Sequence, residues 1–159
     1  MPKDAPTLLE PLQQLAANVL ALRAKGNWST RALAEHCRID RRTVQRLEHG
    51  ELSTLSIGTL EKLARGLGVR TGSLFASKPV THRGMGKLIE DILAENLVRA
   101  RERRGWTQAA LGSHSGVSMY VIAHIERQAR NPTVQTVEKL ALPLGTTVER
   151  LLTEQRPRS

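Results

Sequence analysis

Apolar residues recur every three or four positions along most of the chain, and no alternating run argues for a strand. Leu15, Val19 and Leu22 share one face of a helix expected over residues 12–25, which Gly26 and Asn27 end. Ser29 then stands at the N-cap of a short helix that carries Leu33. A tight turn at Cys37-Arg38-Ile39 follows, and Asp40 caps a third helix over residues 40–48. On a wheel of about 100° per residue, Val44 and Leu47 fall on one side of that helix. Arg41, Arg42, Gln45 and Arg46 fall within an arc of roughly 140° on the other. Gly50 suits a helix stop. A polar loop, a helix built on Glu61-Lys62-Leu63-Ala64 that stops near Gly68, and a last turn at Leu74-Phe75 complete the pattern.

The pattern is then written a second time. At an offset of 78, Arg23 lies on Arg101, Trp28 on Trp106, Leu33 on Leu111, His36 on His114, Val44 on Ile122, Leu47 on Ile125 and Glu48 on Glu126. After one deleted residue the match resumes at 77, with Leu74-Phe75 on Leu151-Leu152. The unit is long enough to fold alone. We therefore expect an all-α chain of two five-helix domains, residues 1–76 and 88–159, joined by a linker over residues 77–87 that holds Pro, two Gly and three basic residues. Pro143 is expected to end the fourth helix of the second copy about one turn early. Whether residues 6–15 extend the first helix or pack on a second protomer stays open.

Charge changes the picture. Among 159 residues, 24 are Lys or Arg and 15 are Asp or Glu, giving +9 and a pI near 10.8. Both halves are basic, +4 over residues 1–77 and +5 over residues 78–159, so the surplus is no charged tail. A polyanionic partner is expected. No apolar run approaches the ~20 residues of a membrane span. No secretion signal is read at the start, and Cys37 is the single cysteine, which fits a reducing compartment and a cytoplasmic protein. His36, His49, His82, His114 and His124 lack ligand spacing, so neither a metal nor another cofactor is expected. No catalytic constellation stands out, and an enzyme is not expected. Trp28 and Trp106 read as packing residues rather than stacking platforms.

Each copy resembles the helix-turn-helix domain of the phage Cro and repressor family, often called XRE-type. The segments are LRAKGNWSTRALAEHCRIDRRTVQRLEHGELSTLSIGTLEKLARGLG and RARERRGWTQAALGSHSGVSMYVIAHIERQARNPTVQTVEKLALPLG. Together the copies cover about 130 residues. The resemblance implies two lambda-repressor-like domains that bind double-stranded DNA and regulate transcription, most simply as a repressor, in the nucleoid of a prokaryote or a phage host. A short, capped helix exposed on one face suits a major groove about 12 Å wide. In the first copy Arg41, Arg42, Gln45 and Arg46 would reach bases or flanking phosphates, and Ser29, Thr30 and Arg31 a phosphate. In the second copy the matching residues are Ser118, Met119, Tyr120, Ala123 and His124, with Thr107 and Gln108 at the phosphate and Arg127, Arg130 and Asn131 in the loop. The family's pattern further implies ion pairs beneath the reading helices, Arg23 with Glu48 and Arg101 with Glu126.

The two reading helices differ, and two readings of the second copy stay open. It reads a half-site of its own, which Gln108 and the basic loop favour, or it has become a surface for a protein partner, as in an antitoxin. The dimer question is open as well. Reading helices lie ~34 Å apart in such dimers, and a linker of ~11 residues reaches ~36 Å at ~3.3 Å per residue. One chain can mimic a dimer, and a homodimer with four reading helices is the other arrangement.

Overall fold

The described residues form ten short helical segments, and seven of them open on a Ser, Thr or Asp whose side chain accepts from a first-turn N–H. The computed structural model describes residues 10–51, 54–79 and 87–155. The first half consists of α1 (Glu10–Lys25), α2 (Thr30–Cys37), α3 (Arg41–Glu48), α4 (Ile57–Gly66) and a 3₁₀ turn (Gly72–Phe75). The second consists of α5 (Ile89–Arg103), α6 (Gln108–Ser115), α7 (Met119–Glu126), α8 (Val134–Leu144) and α9 (Val148–Leu151). Matching side-chain oxygens cap matching helices. Ser29 Oγ accepts from Ala32 N at 3.0 Å and Thr107 Oγ1 from Ala110 N at 3.1 Å. Asp40 Oδ1 accepts from Arg42 N at 2.7 Å and Ser118 Oγ from Tyr120 N at 3.2 Å. Each such cap is worth about 1 kcal/mol. The fold is all-α, with two tandem helix-turn-helix units and no strand among the described residues.

Helix α1 starts two residues before the periodic pattern, at Glu10. Residues 1–9 lie outside the described residues, as do residues 80–86 of the expected linker, His82 among them. Pro143 does not shorten its helix. Helix α8 runs to Leu144, one residue past the position matching the end of α4 at Gly66. A proline in the last turn forfeits a single donor, and the helix closes just beyond it. Gly145 takes the left-handed conformation at φ 65°, and Thr146 N donates to Ala141 O at 3.2 Å.

In each half an asparagine ties the first helix to the last turn. Asn18 Nδ2 donates to Leu74 O and Ala76 O at 2.8 and 2.7 Å. Asn96 Nδ2 donates to Arg150 O, Leu151 O and Thr153 O at 3.2, 3.0 and 2.8 Å. Around these ties Leu15, Val19, Leu33, Leu47, Leu60 and Leu74 of one half are buried, like Leu93, Leu97, Leu111, Ile125, Leu140 and Leu151 of the other. They belong to one continuous core.

The halves meet around a local two-fold axis. Ser56 faces Thr133 in a single antiparallel pairing. Ile57 N donates to Pro132 O at 3.0 Å, and Val134 N donates to Leu55 O at 2.8 Å. At the 77-residue offset these two bonds exchange places, so the pairing maps onto itself when the halves are swapped. The 3₁₀ turn of the first half packs on α9 of the second. Gly72 allows this, because a Cβ there would press on the carbonyl oxygens of Leu152 and Glu149 at 2.9 and 3.0 Å and on Thr153 Oγ1.

Candidate nucleic-acid interface

Helices α3 and α7 are each held from behind by two fully buried residues, Val44 and Leu47 in one and Ile122 and Ile125 in the other. Their outer faces are open. Arg41, Arg42 and Arg46 are exposed on α3, with Gln45 half-buried beside them. Arg46 Nε lies 3.6 Å from Glu51 Oε2, a loose exposed pair that leaves the guanidinium available. On α7, Met119 is 55% and Tyr120 64% exposed. The Tyr120 ring leans on His124, centroids 3.9 Å apart, and Ser118 serves as the cap.

Beneath each outer helix sits a fork of the same shape. Arg23 Nε donates to Glu48 Oε1 at 2.5 Å and its Nη1 to Trp28 O at 2.8 Å. Arg101 Nε donates to Glu126 Oε1 at 2.7 Å and its Nη1 to Trp106 O at 2.7 Å. One guanidinium thus joins the first helix, the turn after it and the end of the third helix. The hydrogen bond with Glu126 raises the Arg101 pKa above its ordinary value. The second fork carries a third member, since Gln108 Nε2 donates to Glu126 Oε2 at 2.7 Å. The Gln108 amide is therefore directed inward at a carboxylate. Thr30, at the matching place, has no amide with which to do the same.

The other expected contacts spread differently. Arg31 is exposed and folds back on Glu35 at 2.9 Å. Arg127 and Arg130 are exposed in the loop after α7, the former with Nε donating to Ala123 O at 3.2 Å. Asn131 stands apart from them. Its Oδ1 accepts from Gly58 N at 3.0 Å and its Nδ2 donates to Ser56 Oγ at 3.4 Å, so the side chain bridges to the first half. Trp28 and Trp106 are half-buried and pack on His36 and His114, centroids 4.6 and 4.3 Å apart.

Arg38 is the residue that reading the sequence by helix faces passes over. It caps α2 in the left-handed conformation, φ 55° and ψ 47°, and is exposed in the turn leading into α3. The second half has Gly116 there, at φ 69°. The signal lay in the repeat itself, an arginine aligned with a turn glycine. Along α2, the turn and α3, five arginines (Arg31, Arg38, Arg41, Arg42 and Arg46) match Ala109, Gly116, Met119, Tyr120 and His124. The backbone is repeated and the charge is not.

The chain is similar to several known proteins. The chain is 40% identical over 67 residues to the control protein C.SmaI of Serratia marcescens, which spans 42% of this chain and 80% of that protein. It is 37% identical over 62 residues to the uncharacterized HTH-type transcriptional regulator y4dJ of Sinorhizobium fredii, 39% of this chain and 80% of the relative. The HTH-type transcriptional regulator SutR of Escherichia coli matches over 53 residues at 38% identity, 33% of this chain and 30% of its own length. Among solved structures, a hypothetical transcription factor NHTF from Neisseria aligns with a TM-score of 0.42 at 26% identity, covering 45% of this chain and 85% of that one. Among the described residues no helix is long and apolar enough to cross a membrane. The helix-turn-helix family HTH_3 matches residues 19–74 and again residues 97–151, and the chain belongs to it.

Proposed function

We propose that the chain is a sequence-specific regulator of transcription that binds double-stranded DNA, represses by occupying its operator, and uses its two halves as the two members of a dimer. The two-fold pairing at Ser56 and Thr133 is the observation that carries this reading. A duplex has two-fold axes perpendicular to its length, so a protein with a matching axis presents like helices to major grooves one turn apart, ~34 Å. The faces that pair here, the 3₁₀ turn and α9, are covered within the chain. On each side a half-buried ion pair braces an outer helix, and α3 offers guanidinium forks to guanine O6 and N7.

Light scattering of the complex with a selected operator tests this directly. One chain per duplex is the expected stoichiometry; two chains would replace the single-chain dimer with a homodimer. Replacing Arg41, Arg42 and Arg46 singly by Ala is expected to cost ~1–3 kcal/mol for each base-reading arginine, with specificity relaxed at one position. A phosphate-contacting arginine would instead reduce the salt slope by about one. Wild-type affinity in all three variants would reject α3 as the reading helix.

A second reading follows from the exposed Met119 and Tyr120. In it α7 holds a protein partner, as in an antitoxin, and DNA binding is autoregulatory. A stoichiometric partner retained from the native host by the wild type and lost by Tyr120→Ser would favour it.

A further inference from the structure

Resting on the DNA reading above, we infer that the operator is not a palindrome: α3 takes a guanine-bearing half-site, α7 takes a thymine-bearing one, and the chain therefore lies on DNA in one direction only. The argument joins two observations that pull apart. The pairing at Ser56 and Thr133 exchanges its two bonds when the halves are swapped, and each half braces its outer helix with the same arginine–glutamate fork, so the two outer helices are presented by like scaffolds. The side chains they carry are chemically opposite. Arg41 and Arg42 open α3 where Met119 and Tyr120 open α7, and Arg46 stands where His124 does.

In the major groove the four base pairs differ by their acceptors, donors and the thymine methyl. A guanidinium fork matches the O6 and N7 acceptors of guanine together. A thioether and a phenol ring offer no such fork, and they gain by covering the C5 methyl of thymine, the one apolar group on the groove floor. Met119 and Tyr120 are more than half exposed. His124 is turned back, its Nδ1 2.8 Å from Tyr120 O and its ring against the phenol, which leaves Met119 and Tyr120 as the outward side chains at the start of α7. The Arg31 and Arg38 positions reinforce the difference, since Ala109 and Gly116 replace them. The α3 side holds the phosphate backbone more strongly, while the α7 side relies on Arg127 and Arg130 farther along the loop.

Selection of duplexes from a randomised pool by the whole chain tests this. The expected consensus has unlike halves one helical turn apart, guanines in one and thymines in the other. Replacing the thymines of the second half by uracil, which removes only the methyl, should weaken binding about fourfold per contacted methyl. In the double variant M119R/Y120R, changed only at exposed positions, the consensus should acquire guanines in both halves and the uracil effect should vanish. An inverted repeat with like halves would overturn the inference while leaving the proposed DNA reading intact. So would uracil substitution without effect, or a double variant with an unchanged consensus, which would hand α7 to another partner. Failure to enrich any duplex would overturn both.

Discussion

Arg38 holds a conformation that costs an ordinary residue roughly 1–2 kcal/mol. The matching turn shows that glycine serves there. Arg38→Gly is expected to raise Tm by a few degrees and to weaken DNA binding, because the strain keeps a guanidinium beside the reading helix. Melting curves and an anisotropy titration check the two signs together. Glu138 makes a second residue-scale case. It is 8% exposed, and its Oε1 has no hydrogen-bond partner among the described residues. The matching Glu61 accepts from Arg65 Nη2 at 2.9 Å and from Ile89 N at 3.3 Å. Leu142 replaces that arginine, and Pro11, aligned with Ile89, has no N–H to give. Desolvation raises the Glu138 pKa above its usual value near 4.5. The folded state then holds this proton more tightly than the unfolded state, so stability falls as pH rises from about 4.5 through the raised value. Glu138→Gln should raise Tm at neutral pH and flatten the difference between acid and neutral melts.

At the scale of elements, α3 and α7 depend on the residue that caps each of them. Asp40 caps α3 through a 2.7 Å bond, so Asp40→Ala should cost about 1 kcal/mol in a denaturant titration and Asp40→Ser close to nothing. Because a carboxylate next to DNA repels phosphate, Asp40→Ser should also tighten binding and steepen its salt dependence. Most elements were legible from the sequence for the same local reasons. The hydroxyl caps, the apolar spacing of Leu15, Val19 and Leu22, and the glycine stops are short-range signals that the folded chain obeys. Pro143 does not shorten α8 as its helix-breaking character implies, because it stands in the last turn and only one bond is at stake there. Asn18 and Asn96 carry no local signal, because their partners are backbone carbonyls more than 50 residues away. At the candidate interface, exposure of Arg41, Arg42 and Arg46 follows from the helical wheel. The inward turn of Gln108 and the diversion of Asn131 depend on tertiary neighbours, Glu126 and Gly58, that the sequence does not place.

At the scale of the molecule, the joint between halves rests on close approach. Gly72→Val would drive a branched side chain against two backbone carbonyls of the second half, which cannot rotate away. A cost of about 1–3 kcal/mol is expected from such overpacking. Helix content by circular dichroism should survive, while affinity for an operator with both half-sites falls toward that for one. Retained two-site affinity would show that the joint is dispensable for placing the helices.

A joint formed inside one chain also removes an assembly step. A regulator that must first find a second copy responds to roughly the square of its concentration when copies are scarce, which imposes a threshold on its target gene. In the proposed single-chain arrangement the second half arrives with the first, and promoter occupancy is expected to climb in simple proportion to the number of molecules made. A reporter titrated with increasing amounts of the protein checks this: a linear rise is the expected outcome, and a quadratic one would return the threshold that a homodimer imposes.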